Sequence, residues 1–222
     1  MDKLIEYCQA RYAEEIEYKF SLSNIICWLL FLVALHSFYK TKLETLLQAI
    51  KELSLKEIFD TGNGILLNAP LSQILIAIAF AAFTSAACKK LSGFLFYLFS
   101  LKSDFTQLII EITFKFLKNK NTETKKFLAE NAREKLSTNQ RKLKRLNSLS
   151  EICLCISISS LIGLKLNPIN CITATVGILV FLYLSWKSFQ LFIEEILPYF
   201  TAIKYSEDEL TELMSAFEDS IK

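Results

Sequence analysis

The 222-residue chain holds one histidine, three prolines and five glycines, and these scarcities remove whole classes of chemistry. A lone imidazole, His36, cannot assemble a metal site, and the sequence shows no local sign of the acid and nucleophile pair that a triad needs. It reads instead as a polar residue at a membrane edge or between helices, with pH sensing as the alternative role. No Walker loop, GxGxxG, HExxH or GxSxG sequence occurs. Six cysteines (8, 27, 88, 153, 155 and 171) form no CxxC pair. Cys153 and Cys155 leave a helix on different sides, poor geometry for sharing one ion. In apolar runs a free thiol behaves as a small hydrophobe; Cys88, beside Lys89 and Lys90, is a candidate for acylation. The expectation is a protein that is no enzyme and carries no cofactor or metal.

Charge is also missing, and in particular places. Residues 20–39 contain no acid, lysine or arginine; neither do residues 61–88, 166–186 and 152–164. A helix crossing a hydrocarbon layer of about 30 Å needs about 20 mainly apolar residues. Ile25–Leu35 and Ile74–Phe83 keep no polar stripe on any face, which a core helix of a soluble protein normally does. The predicted fold is all-α: a polytopic integral membrane protein with four transmembrane helices as two pairs and a basic cytoplasmic helical segment between them. The spans fall at 20–39, 71–88, 149–165 and 171–187. The third is the weakest, with Glu151 at its entrance and Ser157, Ser159 and Ser160 inside. Asn167-Pro168-Ile169-Asn170 reads as a tight turn joining the last two spans. No carboxylate, lysine or arginine is expected deep inside a span.

The charges that are present set the orientation. Residues 89–148 carry fourteen basic and five acidic side chains, the 40–70 loop carries four of each, and the 166–170 turn carries none. Basic loops stay cytoplasmic, which places both termini and the central segment inside and the 40–70 loop outside, in a bacterial inner membrane. Residues 1–19, a mixed and net acidic stretch without a basic n-region, read as a retained amphipathic cytoplasmic helix. The 40–70 loop is amphipathic, with Leu43, Leu46, Leu47, Ile50 and Leu53 at helical spacing. Residues 91–101 are too short to cross and read as the emerging end of the second span or an interfacial helix. Phe94, Phe96, Phe99, Phe105, Phe114 and Phe116, interrupted by lysines, suggest an interfacial zone, with an aromatic ligand platform as the alternative. Ala79, Ala81, Ala82, Ser85 and Ala86 suit close helix packing.

Three sets of residues are candidates for function. Lys125, Lys126, Arg133, Arg141, Lys142, Lys144 and Arg145 are expected to meet anionic lipid, an anionic ligand such as a nucleotide, or an acidic cytoplasmic protein. No nucleic-acid module accompanies them. Ser157, Ser160, Thr173 and Thr175 are expected either to line a polar path or to pack helices. The 188–222 tail is acidic; its stripe of Leu210, Leu213, Met214 and Phe217, after a Ser206–Glu209 capping signature, is expected to dock on a partner or on the basic helix. Two spans, a basic helical segment and two more spans resemble in layout the four-span effectors of bacterial nucleotide-signalled defence systems, without a shared motif. That resemblance implies a small homo-oligomeric membrane pore gated through its basic helices. The alternative is a non-conducting scaffold, immunity or membrane-shaping protein.

Overall fold

The computed structural model describes residues 2–17, 22–40, 45–52, 58, 64–101, 122–162 and 167–206. Among them helix is the only regular structure: α1 (Asp2–Ile16), α2 (Leu22–Lys40), α3 (Leu46–Glu52), α4 (Ile65–Asn68), α5 (Leu71–Ser100), α6 (Thr122–Leu161), α7 (Pro168–Leu191), a π turn (Phe192–Ile196) and α8 (Leu197–Ser206). The chain divides into two compact units. The first gathers Met1–Glu17, Lys89–Asn147 and Ser185–Lys222; the second gathers Tyr18–Cys88 and Ser148–Leu184.

Local chemistry explains where these helices begin. Thr45 caps α3: its hydroxyl accepts the Gln48 N–H at 3.2 Å and donates to Gln48 Oε1 at 3.0 Å, satisfying one of the free N–H groups of the first turn. The carbonyl of Pro70 accepts the N–H groups of Gln73 and Ile74 at 2.9 and 3.3 Å. Asn167 Oδ1 accepts the Ile169 N–H at 3.1 Å, and Pro168 is the first residue of α7, where a missing N–H costs nothing. The Asn-Pro sequence therefore starts a helix, whereas the sequence alone suggested a turn through Asn170. Pro198 does not end the last helix. Its ring removes a donor and crowds the carbonyl four residues back, and the helix responds by widening, so that the Leu197 N–H reaches the Phe192 carbonyl.

Two helices are long and apolar enough to cross a membrane, Leu71–Ser100 and the run Pro168–Lys204; Leu22–Ser37 is apolar but shorter. The thirty residues of α5 rise about 45 Å, so residues 91–100 are the continuation of one helix through Lys89 and Lys90. In the same way α6 joins the basic central segment to the stretch after Leu149 without a break.

The first unit has an aromatic core. Ile5, Cys8, Tyr12 and Ile16 of α1 are buried against Phe96, Leu143, Phe189, Phe192 and Ile196. Phe96 stacks on Tyr12 at 4.9 Å between ring centres and meets Phe189 and Phe192 edge-on at 5.1 and 5.7 Å. Such pairs add about 0.5–1.5 kcal/mol each beyond burial. Phe96 thus belongs to a packed interior, and Phe99 packs on Trp186 at 4.8 Å; Phe94 alone of these three is exposed. Phe105, Phe114 and Phe116 lie outside the described residues.

The second unit is aliphatic. Cys27, Phe31, Leu32 and Leu35 of α2 pack with Ala49, Ile65, Ala77, Ala81 and Cys155. At one point α6 and α7 approach very closely. A Cβ on Gly177 would lie 3.0 Å from the Cys153 carbonyl oxygen and would overlap Ser157 Oγ. Small residues permit such approaches.

Two outcomes follow from this packing. Gly177→Leu is expected to destabilise the chain by about 1–3 kcal/mol through overpacking, read as a lower thermal unfolding midpoint. Burial pushes the Cys8 thiol from its ordinary 9.0 up to about 12. Because the folded value is the higher, this group leaves stability unchanged below pH 9 and lowers it as pH rises from there. Cys8→Ala should flatten that alkaline loss in an unfolding-midpoint series, and maleimide should reach Cys8 only after unfolding.

Candidate functional site

The polar concavity of the first unit is a groove of about 590 Å³. One wall is α6, whose Asn131, Glu134, Lys135, Thr138, Asn139 and Lys142 recur at i, i+3, i+4, i+7, i+8 and i+11, a single helix face. The other wall is Glu195 from the π turn and Tyr199, one turn later in α8. The π widening buries Phe192, Ile193 and Ile196 and leaves Glu194 and Glu195 exposed. Lys135 Nζ lies 5.8 Å from the Tyr199 ring centre, within cation–π range. Asn139 is buried, and the remaining α6 lining residues are exposed.

A buried acid behind the groove holds its helices. Glu15 is only 6% exposed, yet it accepts Arg11 Nη2 at 2.5 Å and Gln140 Nε2 at 3.0 Å. The same Arg11 lies over the Phe200 ring at 4.4 Å. These contacts couple α1 to α6 and to α8, fixing the rotation of α6 and presenting Tyr199, the neighbour of Phe200. Gln9 Nε2 donates to the Gly93 carbonyl at 3.1 Å and joins α5 to the group.

Of the seven basic residues expected to meet an anion, Lys142 lines the groove. At about 100° per residue, Arg145 turns toward the same side, whereas Arg133 and Lys144 share a different face. Arg133, Arg141 and Arg145 are exposed and Lys144 is half-buried. Lys125 and Lys126 lie on α6, but their side chains fall outside the described residues. The groove adds Lys135, which was absent from the sequence-derived set although it stands two turns before Lys142 on the same face. It also adds Glu134 and Glu195, so its lining carries both signs of charge in equal number. That lining suits a polar ligand or peptide with anionic groups placed against the two lysines.

The hydroxyl residues expected to line a path or to pack helices bond to their own helices. Ser157 donates to the Cys153 carbonyl at 2.9 Å, Ser160 to those of Ile156 and Ser157, Thr173 to Ile169 and Thr175 to Cys171 at 2.8 Å. Ser157 and Ser160 are buried, whereas Thr175 is exposed. Leu210, Leu213, Met214 and Phe217 lie outside the described residues. Among the described residues no group of three or more histidine, cysteine or acidic side chains is placed to hold a metal ion.

The sequence reading missed Glu151. In the second unit it is 6% exposed and bonded through Oε2 to the Ser23 hydroxyl at 2.5 Å. Its position at the start of an uncharged run suggested an entrance residue; the fold turns it inward.

Compared with protein families, curated proteins and solved structures, the chain matches none. The site is therefore read from its own chemistry. With a fluorescent nucleoside triphosphate as an anionic probe of the groove, Lys135→Glu/Lys142→Glu is expected to weaken binding at least tenfold relative to the unaltered chain, since charged hydrogen bonds are worth about 1.5–3 kcal/mol. Arg133→Glu, on another face, should leave binding of the same fluorescent nucleotide unchanged, as measured by anisotropy.

Proposed function

We propose that this chain is an integral membrane protein that acts as a small oligomeric pore or membrane effector, switched by an anionic ligand or partner seated in the groove of its first unit. The observation that supports a bilayer is the outward apolarity of the two long helices. Of their most apolar 18-residue windows, only 28% of α5 and 22% of Pro168–Lys204 is buried within the chain. Leu75, Ile76, Ile78 and Phe83 of α5 and Ile172, Val176, Leu179 and Tyr183 of α7 are exposed. In water each such surface costs about 25 cal/mol per Å²; in lipid it costs nothing. A core helix of a soluble protein would bury these side chains instead.

On this reading α5 and α7 cross the bilayer, and α2 with the apolar end of α6 completes two pairs of spans. The basic residues between Lys89 and Asn147 stay cytoplasmic, together with both termini, in a bacterial inner membrane. Anionic headgroups then meet the exposed arginines of α6. With four spans per chain, a conducting path would form between copies.

A second reading, a non-conducting scaffold or immunity protein, is favoured by the hydroxyls. Ser157 and Ser160 spend their donors on their own helix, and Ser157 abuts Gly177, an arrangement that packs helices rather than wets a lumen.

The expected outcome is that the protein requires an amphiphile to stay monodisperse and resists alkaline extraction from membranes. Reconstituted liposomes should release an entrapped dye when the activating ligand is present. Retention of dye under every ligand condition would select the scaffold, and a monodisperse preparation in plain buffer would overturn the membrane assignment itself.

A further inference from the structure

We infer that Glu151 is a binding site for a single positive charge, a proton or a small monovalent cation, inside the second unit. The inference goes beyond the pore-or-scaffold reading and depends only on the apolar interior of that unit.

The carboxyl is 6% exposed. Its Oε2 accepts the Ser23 hydroxyl at 2.5 Å, whereas Oε1 is buried with no hydrogen-bond partner. No lysine or arginine among the described residues is paired with it; the ion pairs found there are those of Arg11 in the other unit. Among the described residues, the titratable groups near it are thiols. Cys27 of α2 lies 4.0 Å from the Glu151 carbonyl oxygen, and Cys155, one turn along α6, reaches the Cys27 carbonyl at 3.6 Å. From α5, Cys88 meets the neighbouring Ser150 at 3.9 Å. One turn along α6 Cys155, and on the facing α2 Cys27 and Phe31, are fully buried.

An ionised carboxylate in such surroundings, with one hydrogen bond and no counter-ion, is left uncompensated. Compensation has to come from an incoming positive charge, and the vacant acceptor on Oε1 is where it would bind. Taking up a proton converts the carboxylate to the acid, with an O–H formed at Oε1 and the Ser23 bond kept at Oε2; no electron moves. Taking up a monovalent cation leaves both O–C bonds as they are and places the ion against Oε1. Either form of occupancy ties α2 to α6 through Ser23 and Glu151, so that binding and helix contact are linked.

Difference infrared spectroscopy on the full-length chain tests this, in detergent or in plain buffer, whichever keeps it monodisperse, so that failure of the membrane reading leaves the test intact. A pH step in choline chloride should change a protonated-carboxyl carbonyl band that is missing in Glu151→Gln. If that band persists when sodium or potassium chloride replaces choline, the occupant is a proton. If either salt abolishes it, that cation competes for the site. Ser23→Ala, which keeps the carboxyl but removes its donor, should move the frequency of that carbonyl band, because the Ser23 hydroxyl bonds the carboxyl directly. Spectra of Glu151→Gln that match the unaltered chain under all three salts, or an unmoved band in Ser23→Ala, would overturn the assignment.

Discussion

Satisfying polar groups away from water is the constraint on which the architecture depends. Where apolar side chains surround a helix on every side, backbone N–H and C=O groups have only one another as partners. The thirty residues of α5 and the run from Pro168 to Lys204 meet that demand by remaining continuous. Side chains follow the same rule. Ser157, Ser160, Thr173, Thr175 and Thr201 each return a hydroxyl proton to a carbonyl three or four residues back. At Pro198, where an α-helix would lose a bond, the π turn keeps the chain helical. The rule is not met everywhere: the buried hydroxyls of Thr84, Ser185 and Ser188 and one carboxylate oxygen of Glu151 have no hydrogen-bond partner, and of these Glu151 is the group that can carry a charge.

The two units solve their packing differently. The first uses large rings, with Tyr12, Phe96, Phe189 and Phe192 interlocking at 4.9–5.7 Å, and a buried ion pair, Arg11 with Glu15, that fixes helix rotation. Those rigid contacts let an otherwise solvated helix present a single face, 131 to 142, as one wall of a groove. The second unit uses small residues, Ala77, Ala81, Gly177 and the cysteines, which bring helix backbones close. Among them one buried carboxyl, Glu151, is held by the Ser23 hydroxyl.

The helical class and the two long apolar helices were legible from charge spacing, because runs of twenty or more uncharged residues report directly on the surroundings a helix can occupy. The amphipathic register of α1 was legible for the same kind of reason. Boundaries were not. Lys89 and Lys90 leave residues 91–101 open between the end of the second span and a separate interfacial helix; the structure continues one helix through them, since lysine is a good helix former. Asn167-Pro168 looks like a turn but opens a helix, since cap and turn use the same residues. The groove was half visible: Lys142 stood out within a basic cluster, whereas Lys135, Glu195 and Tyr199 gave no local signal. Only the meeting of α6 with the π turn and α8 assembles them.

Composition and periodicity, then, suffice to say that this chain is helical and that its basic charge gathers in one segment; of the four uncharged runs read as spans, the structure makes two into helices long and apolar enough to cross a membrane. These are properties of single stretches, read one turn at a time. Which lysine faces a groove, which phenylalanine is core and which glutamate is buried all depend on what packs opposite, and that partner lies 84, 125 or 128 residues away. A side chain's neighbours along a helix are written in its register; its neighbours across helices exist only once the chain has folded.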